Sequence, residues 1–176
     1  MKEPFLDYRN NLKSTANWLM KSIKNGKGGS SAFFSPLTGW SKPYPETTGY
    51  IIPTLIRLSN YFEDPRFSFV AHDLGDWLLS IQSNLGFWHG GLHSSIQQIE
   101  TSPSIFNTGQ IIKGMMALYH HTEDNKYLYA ADNATNWLVS EMRSDGLWPS
   151  GDYRASETPS YYTHVAWPIL EVWKET

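Results

Sequence analysis

The chain contains no cysteine, no run of basic residues and no long apolar segment. Without cysteine it forms neither a disulfide nor a thiolate zinc site, and we expect a reducing compartment, the cytoplasm. A net charge of -3 without a basic run offers nothing to attract a polyphosphate backbone, so nucleic acid is not an expected partner. Because the sequence has neither the roughly 18 consecutive apolar residues of a membrane span nor the apolar core of a signal peptide, we expect no membrane partner.

Aromatic residues are what the chain has in abundance, with 8 Trp, 10 Tyr and 8 Phe among 176 positions. With 40% apolar residues, a chain of this length is expected to bury one core and form one domain. Aromatic residues at regularly repeated positions are explained most simply by helix packing, whereas those in loops need another reason.

An internal repeat accounts for the regular positions. When the chain is shifted by 60 positions, residues 48–88 lie over residues 108–148 with identical residues at many places. Thr48 recurs as Thr108 and Trp77 as Trp137, and a further partial copy begins at Thr163, 55 positions after Thr108. The predicted units are 1–43 (partial), 44–103, 104–158 and 159–176 (partial).

Apolar residues within the units recur at helical spacing, and no strand pattern of comparable length appears. Thr48, Thr108 and Thr163 are predicted N-caps of the second, fourth and sixth helices. Helices that are apolar nearly all round alternate with amphipathic ones, and short turns alternate with long loops. This order predicts an all-α fold with inner and outer helix layers, and with the long loops and the inner-helix N-termini at one end. The predicted helices cover about 8–23, 49–62, 66–82, 109–121 and 126–142, and a sixth begins near 163.

The segment Trp77-Leu78, Gln82 and Gly86-x-Trp88 resembles the repeat of squalene and terpene cyclases and of protein prenyltransferase β-subunits. The second copy departs from that pattern, because Met142 replaces the glutamine. The resemblance implies an α/α toroid as architecture. It does not extend to chemistry, because the chain has no Asp-x-Asp-Asp acid motif and no cysteine for the prenyltransferase zinc site.

The segments 44–50 and 106–110 are similar to loop-to-helix junctions in carbohydrate-active α/α barrels. That group includes six-hairpin glycosidases, N-acylglucosamine 2-epimerases and the C-terminal domains of glucuronyl epimerases. Such toroids hold six hairpins and this chain supplies about three, half of an (α/α)6 barrel. The resemblance therefore implies either a fragment lacking a C-terminal half or a protein that closes its open sides as a homodimer.

Two carboxylates are the catalytic candidates. Glu46 lies two residues before the predicted cap of an inner helix, and Asp152 lies in the long loop predicted at 144–160. A glycosidase needs two carboxylates that flank the scissile bond, which is the role we consider for this pair. The alternative is that Glu46 makes a structural bond at the helix N-terminus, which the helix dipole favours.

Three histidines are candidates for lining the cleft. His89 and His93 are four residues apart, but the glycines between them argue against a helix, and no third ligand is evident, so no metal is predicted. His164, at the start of the sixth helix, is expected to join them. No cofactor is predicted.

Aromatic and amide side chains on the loop side complete the predicted substrate site. Sugar rings present apolar C–H faces that stack on indole and phenol rings, while amides serve the hydroxyl groups. The alternative for the Gly-x-Trp tryptophans is that they clamp the loops to the outer helices. The candidates are Trp40, Tyr44, Trp88, Asn107, Gln110, Trp148 and Tyr162.

These patterns favour a carbohydrate-active protein that binds or processes a glycan or sugar acid, with a glycoside hydrolase, a lyase or a sugar epimerase as enzyme classes. One alternative is an isoprenoid-handling toroid enzyme, which needs an acidic cluster facing aromatic walls. The other is a non-catalytic helical-repeat module whose apolar edges bind a partner.

Overall fold

The computed structural model describes residues 7–94, 102–148 and 159–176, and these residues form mostly helix. The all-α prediction is confirmed. A two-residue antiparallel ladder between β1 (Phe34–Ser35) and β2 (Gly39–Trp40) and a 3-10 turn at Pro159–Tyr162 are additions to it. The helices are α1 (Tyr8–Gly26), α2 (Pro45–Phe62), α3 (Arg66–Ser80), α4 (Ile105–Thr122), α5 (Asn125–Ser140) and α6 (Thr163–Trp173).

Helix α4 is the centre of the core. It packs against α2 on one side and α6 on the other, while α3 packs mainly on α2 and α5 mainly on α4. Ile111, Ile112, Met115 and Leu118 of α4 are fully buried, as its apolar sequence predicts. Helices α2, α4 and α6 therefore form one layer, and α3 and α5 lie outside it.

The predicted threonine N-caps are wrong. Helix α2 begins at Pro45, whose missing N–H costs nothing in the first turn, and α4 begins at Ile105 with Ser104 as its cap. Thr48 and Thr108 lie inside these first turns and hold the preceding loops instead. The Thr48 hydroxyl accepts from the Ser30 N–H at 2.9 Å, and the Thr108 hydroxyl accepts from the Trp88 N–H at 3.1 Å.

The glycine that follows each of these threonines lets the next inner helix approach closely. A Cβ on Gly49 would lie 2.7 Å from Ile111 Cα, and one on Gly109 would lie 3.0 Å from Val165 Cα. Val165 therefore takes against α4 the place that Ile111 takes against α2. Aligning Thr163 with Thr108 in sequence would instead pair Ala166 with Ile111. The structural register of α6 therefore differs by one residue from the sequence alignment.

The Gln and Gly-x-Trp residues of the repeat tie neighbouring elements together. Gln82 Nε2 donates to the carbonyls of Gly86 and Ala130, at 2.8 and 2.9 Å, which links the loop after α3 to α5. Trp88 is fully buried, and its Nε1 donates to the Leu78 carbonyl at 2.8 Å. Among the described residues, no helix is both long and apolar enough to cross a bilayer.

Candidate functional site

The N-terminal ends of α2, α4 and α6 meet at one rim of the molecule. Tyr44 precedes α2, and its hydroxyl donates to Asn107 Oδ1 of α4 at 3.4 Å. Gln110 Nε2, one turn further along α4, donates to the His164 carbonyl of α6 at 3.2 Å. These bonds tie the three helix starts together, so side chains from all three elements share one surface.

Aromatic rings and one carboxylate occupy the first turns at this rim. Glu46 lies in the first turn of α2, where the helix dipole favours a negative charge. The Phe106 ring, from the matching position of α4, stacks on the Tyr161 ring with centroids 4.8 Å apart. Tyr161 also lies 5.5 Å from the His164 ring.

Tyr50 joins this group from the second turn of α2. Burial raises the pKa of the Tyr50 hydroxyl, and the nearby Glu46 and Tyr161 raise it further. Glu46 lies four residues before Tyr50 in α2, about one helical turn, and Tyr161 is near enough to act electrostatically on the same hydroxyl. The Tyr50 side chain is nevertheless 41% exposed, which leaves its ring accessible to a ligand.

A cation and an indole extend the surface along α4 and α6. Lys113 Nζ donates to Gln110 Oε1 at 2.9 Å and lies 5.3 Å from the centroid of the Trp167 ring. Burial lowers the pKa of Lys113. The Trp167 ring is exposed, and its Nε1 donates to Glu171 at 3.3 Å. We call the whole group the rim cluster: Tyr44, Glu46, Tyr50, Phe106, Gln110, Lys113, Tyr161, His164 and Trp167.

Two candidates, Trp40 and His93, line a neighbouring groove between the end of α1 and the segment that leads into α2. Trp40 packs on Trp18 and Phe34, with ring centroids 5.0 Å away in each case. The His93 N–H donates to the Pro43 carbonyl at 2.8 Å. The groove therefore adjoins the rim through the residues that lead into Tyr44.

The predicted histidine pair is close in space. Burial lowers the pKa of His93, and the nearby His89 lowers it further. His89 is exposed, and its carbonyl accepts from Asn107 Nδ2 at 3.4 Å. Among the described residues, no group of three histidine or acidic side chains is arranged to hold a metal ion.

Three aromatic candidates belong to the core and are not available for stacking on a ligand. Trp88 and Trp148 bond the carbonyls of Leu78 and Leu138 through Nε1, each at 2.8 Å. Tyr162 is buried beside Trp148, with ring centroids 5.7 Å apart. The loop-clamping interpretation therefore fits Trp88 and Trp148, and Tyr162 is buried in the same core.

The two amide candidates are held by the protein itself. Asn107 and Gln110 lie at the rim but are buried, and their amides bond the protein rather than open solvent. Asp152 lies outside the described residues. Sequence reasoning did not name five residues of the rim cluster as site residues: Tyr50, Phe106, Lys113, Tyr161 and Trp167. Only the repeat register of α4 and α6 could have indicated the mid-helix pair, Lys113 and Trp167.

Chemically, the rim offers a carboxylate, a partly buried ammonium group and several aromatic faces within one surface. No family model matches the chain, and neither the curated proteins nor the solved structures give a match.

Proposed function

We propose that the rim cluster binds a glycan or a sugar acid, and that the chain is a three-hairpin segment of an α/α toroid. The observation that carries the proposal is the mixture of side chains on three successive inner elements. Exposed rings of Tyr50, Tyr161 and Trp167 stand beside the carboxylate of Glu46 and the ammonium of Lys113.

A sugar ring matches this mixture because it has two kinds of surface. Its C–H faces are apolar and stack on aromatic rings, while its hydroxyl groups need polar partners at the edges. Tyr50 and Tyr161 supply aromatic faces, and Glu46 supplies an acceptor for hydroxyl groups. A purely apolar isoprenoid chain would offer no hydrogen-bonding groups to a surface that carries a carboxylate and an ammonium group.

Lys113 favours an acidic sugar over a neutral one. Burial lowers its pKa, which means that the ammonium group has lost part of its hydration. A carboxylate of a uronic acid would restore that lost solvation and pair with the charge. Trp167, which already lies near Lys113, would then cover one face of the same sugar ring.

Glu46 is the group we propose for acid–base chemistry if the bound sugar is processed. Glycoside hydrolysis uses a second carboxylate on the opposite side of the bond, and Asp152 is the candidate for that position. Lyase and epimerase reactions of a uronic acid instead remove the proton from the carbon next to the sugar's carboxylate group. Lys113 would hold that carboxylate group in place.

Thermal melting and calorimetry with four ligand classes test the proposal. The probes are free uronic acids, acidic oligosaccharides, neutral oligosaccharides and farnesyl diphosphate. We expect acidic oligosaccharides to raise the melting temperature most, because a ligand that binds only the folded state stabilises it. A shift with farnesyl diphosphate and none with any sugar would reject the proposal in favour of an isoprenoid ligand.

Substitutions at the rim sharpen the test. Tyr50→Ala and Trp167→Ala each remove one aromatic face and should weaken binding about 2- to 10-fold. Lys113→Met should reduce the preference for acidic over neutral sugars. Phe69→Ala, an exposed ring on α3, is the matched control and should leave affinity unchanged.

A further inference from the structure

We propose that the groove between α5 and α6 binds helix α1 of a second copy of the chain. The order of the helices gives the reason. Helices α3 and α5 each pack on the inner helix before them. Among the described residues, no helix packs on α6 in that way, and α1 makes little contact with the inner helices. The uncovered face of α6 and the exposed face of α1 are therefore complementary in kind.

Helix α6 exposes apolar side chains at positions whose counterparts in α4 are buried. With Val165 matched to Ile111 by their contacts, Leu170 corresponds to Met116. Met116 is 4% exposed beneath its neighbours, whereas Leu170 is 56% exposed. Trp173, one turn further on, is also exposed. Ile169, Leu170 and Trp173 form one wall of a groove whose other wall is α5.

Helix α1 exposes the matching outer-helix face. The repeat aligns Tyr8 with Phe67 of α3 and Tyr127 of α5. Phe67 and Tyr127 are 7% and 1% exposed, but Tyr8 is 76% exposed. Leu12 is likewise exposed, although the alanines at its position in α3 and α5 are fully buried. Positions that are buried in α3 and α5 are therefore exposed in α1.

The α5 wall of the groove carries the polar partners that Tyr8 would need. Tyr127 Oη donates to Asp76 Oδ1 of α3 at 3.1 Å, and Asn136 is the residue of α5 that corresponds to Asp76. Asn136 and Thr135 both line the groove. Thr135 Oγ1 is buried without a hydrogen-bond partner among the described residues, and a Tyr8 hydroxyl from a second copy would supply one.

A second contact point lies in the loop after α5. Phe87 of the first repeat packs on Trp137 of the next outer helix, with ring centroids 5.1 Å apart, and is 8% exposed. Leu147 occupies the same position in the second repeat and is 45% exposed. Trp18 of α1 corresponds to Trp137 and is half exposed, so Trp18 of a second copy would cover Leu147.

A head-to-tail contact of this kind closes with two copies. Helix α6 of one copy takes α1 of its partner, and the reverse contact follows from two-fold symmetry. The described residues of each copy contribute three inner and three outer helices, so the described parts of the pair hold six of each. Arg9 and Lys13 of α1 carry positive charges and Asp132 on the groove wall carries a negative charge, which favours this pairing.

Light scattering and sedimentation on the full chain test the proposal. We expect a dimer that dissociates on dilution. The paired change Leu170→Asp with Trp173→Asp on α6, or Tyr8→Asp with Leu12→Asp on α1, should raise the dimer dissociation constant roughly 100-fold or more. Phe69→Asp, exposed on α3, is the control and should leave the dimer intact.

Mixing the two monomeric variants is the decisive step. The α6 variant retains a native α1 and the α1 variant retains a native groove, so the mixture should regain dimer mass through one intact contact. This recovery also shows that both variants are folded. A monomeric wild type, an α1 variant that stays dimeric, or a mixture that stays monomeric would each overturn the proposal.

Discussion

Three tryptophans, Trp88, Trp148 and Trp167, donate hydrogen bonds through the indole N–H, but their rings lie in different surroundings. Trp88 and Trp148 donate to carbonyl groups near the ends of the outer helices and are buried, so each ring fixes a loop against a helix. Trp167 donates to the exposed Glu171 and keeps its ring in solvent beside Lys113. Trp88 and Trp148 therefore contribute to stability, and Trp167 is available to a ligand.

This difference predicts unequal effects of truncation. Trp88→Ala should lower the free energy of unfolding by about 3–5 kcal/mol, because it opens a cavity in the core. Trp167→Ala should change that free energy by less than about 1 kcal/mol, because its ring is exposed. Urea unfolding followed by circular dichroism measures both values, and equal losses would show that Trp167 also belongs to the core.

How much of the site the sequence could predict depends on where a residue lies in its helix. Glu46 and His164 were predicted at the rim because they flank inner-helix starts. Lys113 and Trp167 lie inside helices, where a small change of register decides which face a side chain takes. The one-residue displacement of α6 was invisible in the alignment, and it is what brings Trp167 beside Lys113.

Neighbouring outer helices are tied together by a polar group between α3 and α5. Lys126 Nζ lies 2.9 Å from Asp76 Oδ1, and the Tyr127 hydroxyl donates to the same oxygen. The hydrogen bond from Lys126 lowers the pKa of Asp76. Burial, with the contact to Asp76, raises the pKa of Tyr127 to about 12.

The raised pKa of Tyr127 predicts a stability difference confined to one pH range. Because the folded state favours the protonated phenol, this contribution is complete below about pH 10, the ordinary pKa of tyrosine, and is lost as the pH rises through about 12. Tyr127→Phe should be less stable by about 1 kcal/mol near pH 8. The difference in the free energy of unfolding between wild type and variant should become smaller at alkaline pH. A difference that stays constant with pH would contradict the assigned pKa.

Element boundaries show where sequence reasoning fell short. The existence and order of the helices followed from the apolar spacing. The starts of α2 and α4 were predicted four residues late, because threonine was taken as a cap when Pro45 and Ser104 already serve the first turns. The hydroxyl groups of Thr48 and Thr108 bond residues far away in sequence, which a local capping rule does not consider.

For the whole molecule, the repeat predicts how the helices are arranged but not how closely they pack. It gave two helix layers and grouped the inner-helix starts, and the bonds between Tyr44, Asn107, Gln110 and His164 bring those starts to one rim. It could not give how closely the inner helices approach one another, since that depends on contacts such as Gly49 on Ile111. The rim cluster and the α5–α6 groove use different residues of α6, so the proposed ligand binding and the proposed pairing of copies can be tested separately.

A sugar site at the rim can be observed directly by following the tryptophan indole N–H signals by NMR while an acidic oligosaccharide is added. We expect the Trp167 signal to move with ligand concentration, while the buried Trp88 and Trp148 signals stay in place. Lys113→Met should weaken that response. Movement of the Trp40 signal alone, or no movement of the Trp167 signal at saturation, would contradict a sugar site at the rim.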